Sequence, residues 1–438
     1  MMFWHYIDLS WRSLKRTPMV STLMVLAIAI GIGVTMTTLS VYHMMSADPI
    51  PEKSKQLFAV QLQSMDDGDG WWTSDDLPYQ LSFPDAENLY QDRAAKAQAP
   101  MLRTGFAVHL GDARTKPQLM GARATSRDFF SMFNAQFVHG GAWREQADKD
   151  AMKQVVIERS LSEELYGQQS PVGKTLYLDN HVFEVVGVVA PVTRHIKFYD
   201  LNNGAFRKPE RIFVPFSLIR ELELPSWGNS NGWKREEIKS YQDKLNSEIY
   251  WLQYWVELDN DEQKQQYSDY LRNYIDQQKQ LGRFTREHPK FSLRDVNQWM
   301  TYNKVVSEDN KILVLLSFMF LAVCLANILG LLLAKFMRRA PEVGVRRALG
   351  ASKTQVFMQH LVEVALLGSL GGVLGIFLAQ LSLWGVRESY SAYSDLATMD
   401  AFMLISAPVI AIIGCVVAGL LPAWQVCRTN PAYYLKTQ

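Results

Sequence analysis

The chain has 438 residues, 45 lysines and arginines against 44 acids, and a hydrophobic share of 48%. Near-neutral charge excludes an electrostatic nucleic-acid binder, and the length suggests more than one domain. Three cysteines, Cys324, Cys415 and Cys427, lie in or beside apolar runs, so the polar middle of the chain has no disulfide framework.

Residues 1–17 place Phe3, Trp4, Ile7, Trp11 and Leu14 at helical spacing ahead of Lys15 and Arg16. That pattern predicts an amphipathic helix in the membrane interface, separated by a break at Pro18 from the apolar run beyond it. Residues 18–45 contain no Asp, Glu, Lys or Arg. The run is long enough to cross a bilayer and too long for the apolar part of a cleaved signal. Runs 311–335, 356–383 and 401–424 predict three further spans, separated by loops 336–355 and 384–400 and followed by a tail, 425–438.

Arg12, Lys15 and Arg16 precede span one; Lys335, Arg338, Arg339, Arg346, Arg347 and Lys353 lie between spans two and three; Arg428 and Lys436 follow span four. The loop between spans three and four offers only Arg387. The positive-inside rule then expects both termini and the 336–355 loop in the cytoplasm and residues 46–310 outside. The fold class expected is membrane α-helical, with four transmembrane helices and a large α+β extracytoplasmic domain inserted between spans one and two.

Inside that domain, alternation predicts strands at 56–62, 153–157, 175–178, 182–189, 212–216, 250–258 and 291–296, with helices at 84–97, 158–166 and 261–281. Asp179-Asn180 reads as a hairpin turn. Two subdomains are expected, about 50–115 with 245–305, and about 116–215.

Several motifs invite a chemical reading and fail it. In Gly167–Thr175 five residues separate Gly167 from Gly173, one too many for a phosphate loop. Asp67, Asp69, Gly70 and Asp76 approach calcium-loop spacing, but Met65 stands at the first ligand position. His43, His109, His139, His181, His195 and His288 have no metal-ligand spacing. No catalytic residue, cofactor or metal site is expected. The segment YWLQYWVEL puts Tyr250, Leu252, Tyr254, Val256 and Leu258 on one face and Trp251, Gln253, Trp255 and Glu257 on the other. Either this strand is covered on both sides, or Trp251 and Trp255, joined by Trp71, Trp72, Trp227 and Trp233, offer an aromatic surface to an amphipathic substrate or partner.

The most specific stretch runs from Arg338 to Glu363, RRAPEVGVRRALGASKTQVFMQHLVE. It resembles the signature of the MacB/FtsX-like permease family of ABC transporters: Glu342, Gly344, the pair Arg346 and Arg347, and the step Ala348–Ala351. Glu363 and the glycines Gly371, Gly372 and Gly375 resemble the family's third span. TSRDFF at Thr125–Phe130, PVGK at Pro171–Lys174, FEVVGVV at Phe183–Val189, GLLPA at Gly419–Ala423 and NPAYYL at Asn430–Leu435 resemble it elsewhere.

The residues' own chemistry fits. Paired arginines make bidentate contacts with carboxylates. Gly368 with Gly372, and Gly371 with Gly375, form small-xxx-small pairs for close helix packing. Glu363 inside an apolar span needs a polar partner, and Asn327 is read as an inter-helix hydrogen-bond donor. The resemblance implies a non-catalytic permease of the bacterial inner membrane with its large domain in the periplasm. A separate ATPase polypeptide would act on it through a coupling helix carrying Pro341, Glu342, Gly344, Arg346, Arg347 and Gly350. Its other expected partners are the lipid membrane, a second permease chain, identical or paralogous, and a periplasmic adaptor. The implied action is mechanotransmission, with export of a peptide, antibiotic or other amphipathic substrate as the expected work; lipoprotein extraction, or activation of a cell-wall hydrolase or sensor, are the alternatives. The stretch 221–246 is longer than the family's usual connection.

Overall fold

The computed structural model describes residues 2–111, 116–191, 196–389, 399 and 401–428. His195, Lys436, the NPAYYL stretch and most of the 384–400 loop lie outside the described residues. The chain divides into two compact units, Asp48–Val305 and the pair Met1–Ala47 with Val306–Gln438.

The second of these units is helical. Helix Met2–Arg16 ends two residues before Pro18, which opens the next helix, where its missing N–H leaves no bond unmade. Helices Pro18–Ser46, Glu308–Arg338, Lys353–Ser389 and Ala401–Arg428 come after it, each long and apolar enough to cross a membrane. In chain order they are spans one to four. Between spans two and three lies a short helix, Ala340–Ala348. Span one buries Met24, Ile28, Ile32 and Met36, a stripe repeating every fourth residue, in a core shared with Ile328 and Leu332 of span two, Val364 and Leu367 of span three, and Ala411 and Cys415 of span four.

The other unit is built on one mixed sheet of ten strands. These are β1 Leu57–Leu62, β2 Ala97–His109, β3 Gln118–Thr125, β4 Phe137–Gly140, β5 Gln154–Glu158, β6 Thr175–Leu178, β7 His181–Val189, β8 Ile212–Pro215, β9 Gln253–Glu257 and β10 Phe291–Asp295. Their spatial order is β10-β1-β9-β2-β3-β8-β5-β7-β4, with β6 pairing β2 and β7. The β3/β8 and β5/β7 pairs are parallel; the others are antiparallel. Both groups of residues expected to form subdomains share this sheet through the β2/β3 pairing.

Alternate residues of each strand feed cores on opposite faces. Phe58 and Val60 of β1, Val155 and Ile157 of β5, and Ile212 and Val214 of β8 enter one core; Leu57 and Ala59, Val156, and Phe213 enter the other. Helix Asp261–Gln280 covers the first with Tyr267, Leu271 and Tyr274. Phe129, Phe130 and Phe133 cover the second with Trp299 of helix Val296–Tyr302. The helix starts are fixed by side chains: Asn260 accepts from the Gln263 N–H at 2.9 Å, and Asp295 with Gln298 forms a capping box.

A fully buried charge cluster sits in the second layer. Arg123 of β3 donates to Asp200 and, at 2.6 Å, to Glu210; Lys197 donates to Glu210 and lies 3.4 Å from Asp200. Burial pushes the Glu210 carboxyl up, but Arg123 and Lys197 outweigh it and hold the group at about 2. A depressed folded-state value means that the stability contributed is present above about pH 4.5 and is lost as pH falls through about 2. Replacing Arg123 with Met should destabilise this unit by about 3–5 kcal/mol, because two buried carboxylates are left with one cation. Denaturant midpoints should also fall between pH 4.5 and 2 more steeply in the native sequence than in Glu210→Gln; identical acid profiles would show that the cluster contributes no pH-dependent stability.

Candidate functional site

Helix Ala340–Ala348 sits where the most specific part of the sequence predicts a coupling element. Arg339 ends span two and precedes this helix; Pro341 occupies its first turn. Gly350 ends it: its φ is +104°, its N–H reaches the Arg347 carbonyl at 3.2 Å, and the Ala351 N–H reaches Arg346 at 3.1 Å. That pair of bonds is a Schellman stop, which needs a left-handed residue at the glycine's position.

The arginines expected to reach a partner are engaged within the chain. Arg346 donates to Glu342 at 2.6 Å and to Gln359 of span three at 3.3 Å. Arg347 donates to the Cys427 carbonyl of span four at 3.1 Å. They strap the short helix to two spans. Gly344 is buried beside Val343, while Pro341, Val345 and Leu349 recur every fourth residue and are exposed, Leu349 at 83%. This apolar stripe escapes the sequence reading, which attends to charge; its i, i+4, i+8 spacing is the signal that could have found it.

Behind the helix lies a buried polar network. Lys335 of span two and Glu363 of span three approach to 2.7 Å and are both nearly inaccessible. Ser13 of helix Met2–Arg16 donates to Glu363, Lys335 donates to Ser21 at 3.3 Å, and Arg339 donates to the Ser13 hydroxyl and carbonyl. Glu363 therefore has its polar partner. Lys335, which the sequence offers only as an orientation signal, supplies it.

Gly368, Gly371, Gly372 and Gly375 of span three face two neighbours. A Cβ on Gly371 would stand 2.5 Å from Ile28, and one on Gly375 2.8 Å from Ile32, both on span one. A Cβ on Gly368 would meet the Ile412 backbone at 2.9 Å, and one on Gly372 the Pro408 Cα at 2.8 Å, both on span four. Each small-xxx-small pair therefore serves one neighbour: Gly371 with Gly375 seats span one, and Gly368 with Gly372 seats span four. Asn327 makes no such inter-helix bond among the described residues: it lies on the exposed face of span two.

In the unit Asp48–Val305, Trp251 and Trp255 are each only 1% exposed, so neither offers a surface. Trp255 lies in one core and Trp251 in the other: β9 begins only at Gln253, so the strand alternation that would put both on one face does not reach Trp251, and the central place of β9 covers both faces. Trp71 stacks on the exposed Trp72 and meets Tyr250 edge-on. Trp227 lies against Gly105 of β2, where any Cβ would collide with its ring, and so pins the 221–246 stretch to the sheet. The Asp76 carboxylate is held by Arg286 at 2.6 Å and by Gln63 at 2.9 Å. Gly167–Thr175 forms the turn into β6, closed by the Tyr166 hydroxyl donating to the Thr175 carbonyl. A cavity of about 550 Å³ opens over Phe83, Tyr90 and Phe216. Its rim carries the pairs Arg220–Glu87 and Lys149–Glu145. Asp148 lines it too; burial pushes this carboxyl up to about 6, against donors from Arg127, Trp143 and Tyr90.

Two family models match the chain: the MacB-like periplasmic core domain over residues 21–274 and the FtsX-like permease C-terminal over residues 314–431. The macrolide export ATP-binding/permease protein MacB of Syntrophobacter fumaroxidans is 23% identical over 379 residues, covering 78% of this chain and 50% of its own. MacB 1 of Yersinia pestis bv. Antiqua is 25% identical over 442 residues, covering 97% and 59%. The chain thus spans about half the length of the curated relatives it matches. The crystal structure of the periplasmic region of MacB from Actinobacillus actinomycetemcomitans aligns with a TM-score of 0.35 at 13% identity, over 57% of this chain and 92% of that one.

Replacing Glu363 with Ala should strand Lys335 in the bundle and destabilise it by about 3–5 kcal/mol, whereas the joint change Glu363→Leu with Lys335→Met should recover most of that loss. Unfolding of the purified chain in detergent measures both. Equal destabilisation by the single and joint changes would mean that the pair's mutual neutralisation is not what matters.

Proposed function

The chain belongs to the MacB/FtsX-like permease family of ABC transporters, and from that premise we propose that it converts ATP hydrolysis on a separate ATPase chain into motion of its periplasmic domain. The observation that carries this reading is helix Ala340–Ala348, strapped by Arg346 and Arg347 to spans three and four while Pro341, Val345 and Leu349 stay uncovered. A short, rigidly held helix with an apolar stripe is suited to a groove on a partner. Force on it passes directly to the spans. In this reading both chain termini and the coupling helix are cytoplasmic and Asp48–Val305 is periplasmic, as the lysines and arginines at the span ends suggest.

A second permease chain completes the assembly, against the exposed apolar face of span two that carries Asn327, where a polar side chain finds a partner across the interface. The proposed cargo is amphipathic. The 550 Å³ cavity over Phe83, Tyr90 and Phe216, with its charged rim, supports that class. So do relatives whose names specify macrolide export.

Burying a leucine contributes about 1.5–3 kcal/mol, so Val345→Asp with Leu349→Asp should weaken ATPase binding at least tenfold and abolish stimulated ATP hydrolysis. Wild-type binding and stimulation in this variant would remove the helix from the coupling route. Orientation is tested separately: a single cysteine at Ser170 should react with an impermeant maleimide from the periplasmic side only, and labelling from the cytoplasm alone would reverse the topology.

A further inference from the structure

A cleft of about 130 Å³ opens between helix Met2–Arg16, the coupling helix and the start of span three. Arg12, Arg16, Arg339 and Arg346 line it, against a single lining carboxylate, Glu342. Arg12 pairs with Asp8 at 2.8 Å, and Glu342 is shared between Arg346 at 2.6 Å and Arg16 at 4.0 Å. Among the described residues Arg339 bonds only to the Ser13 hydroxyl and carbonyl, so its charge meets no carboxylate there. His360 also lines the cleft, is 4% exposed, and has an Nδ1 without a hydrogen-bond partner among the described residues, 3.9 Å from the nearest Glu363 oxygen. The cleft is thus short of anionic acceptors.

Helix Met2–Arg16 also carries Trp4 and Trp11, exposed and two turns apart on one face, with Lys15 over the Trp11 ring at 5.5 Å. Exposed tryptophans on an amphipathic helix sit at the depth of lipid headgroups. Leu9 and Val356 give the cleft an apolar wall. We propose that this cleft binds the phosphate of an anionic phospholipid headgroup, with Arg12, Arg16 and Arg339 as its donors. Guanidinium forks suit phosphate oxygens, and basic pockets between helices at the membrane surface take such headgroups. A bound phosphate ties helix Met2–Arg16 to the coupling helix and so sets how freely the coupling helix moves. This goes beyond the permease reading, and its test needs no ATPase.

The test is native mass spectrometry and thermal unfolding of the purified full chain in detergent, with phosphatidylglycerol, with phosphatidylcholine, and with inorganic phosphate alone. Phosphatidylglycerol should be retained roughly tenfold better than phosphatidylcholine, the difference that one charge-assisted contact makes, and inorganic phosphate should neither displace it nor reproduce its stabilisation. Arg12→Ser with Arg16→Ser, both at exposed positions, should abolish the preference. Lys15→Ser with Arg338→Ser, equal in charge but outside the cleft, should preserve it. Equal retention of the two lipids by the unaltered chain would overturn the proposal, as would equal loss in the two double variants, which indicates diffuse attraction. Full stabilisation by inorganic phosphate would overturn the lipid assignment.

Discussion

Lys335 and Glu363, 2.7 Å apart and out of reach of solvent, set the geometry of the bundle's basic end. Neither charge is tolerable alone in an apolar span, so each fixes the depth of the other's helix. Ser13 extends the constraint to helix Met2–Arg16, and Arg339 closes it from the residue where span two ends and helix Ala340–Ala348 is about to begin. The direction in which helix Ala340–Ala348 leaves span two thus depends on a polar network one turn away from it.

Span three is the hub of the same design. Glu363 joins it to span two, Gly371 and Gly375 bring span one to backbone distance, and Gly368 and Gly372 do the same for span four. Gln359 holds helix Ala340–Ala348 from the same span through Arg346. Under the proposed mechanism a displacement of helix Ala340–Ala348 would pass through contacts that have no slack, since a single added methyl at any of these glycines would collide with a neighbour.

The four spans are legible in the sequence because length and apolarity alone specify them, and the short helix between spans two and three through the family resemblance of the stretch Arg338–Glu363. Within the unit Asp48–Val305, the strands with clean alternation are legible: β1, β6, β7 and β8 lie within a residue of their expected bounds. β2 is not, because Pro100 and Gly105 punctuate it; Gly105 is there to admit Trp227, a contact 122 residues away that no local pattern reveals. Trp251 and Trp255 illustrate the opposite difficulty. Their sequence shows two apolar faces, and only the sheet order, which makes β9 central, decides that both are covered. Lys335 reads as one more basic residue at a span end because its partner lies 28 positions on, in another helix. Asn327 reads as an internal bond because its outward angle depends on packing.

The unit Asp48–Val305 is built on one sheet with cores on both faces and the buried Arg123 cluster. Under the proposed mechanism it moves as a body relative to the spans. Pulsed electron-spin distances between labels at Ser170 and at Ile405 of span four, measured with the cognate ATPase bound, test this most directly. The account predicts a shift of the distance distribution when ATP is added, lost when Gly344 is replaced by Trp. Identical distributions with and without nucleotide, in an assembly that is hydrolysing ATP, would contradict it.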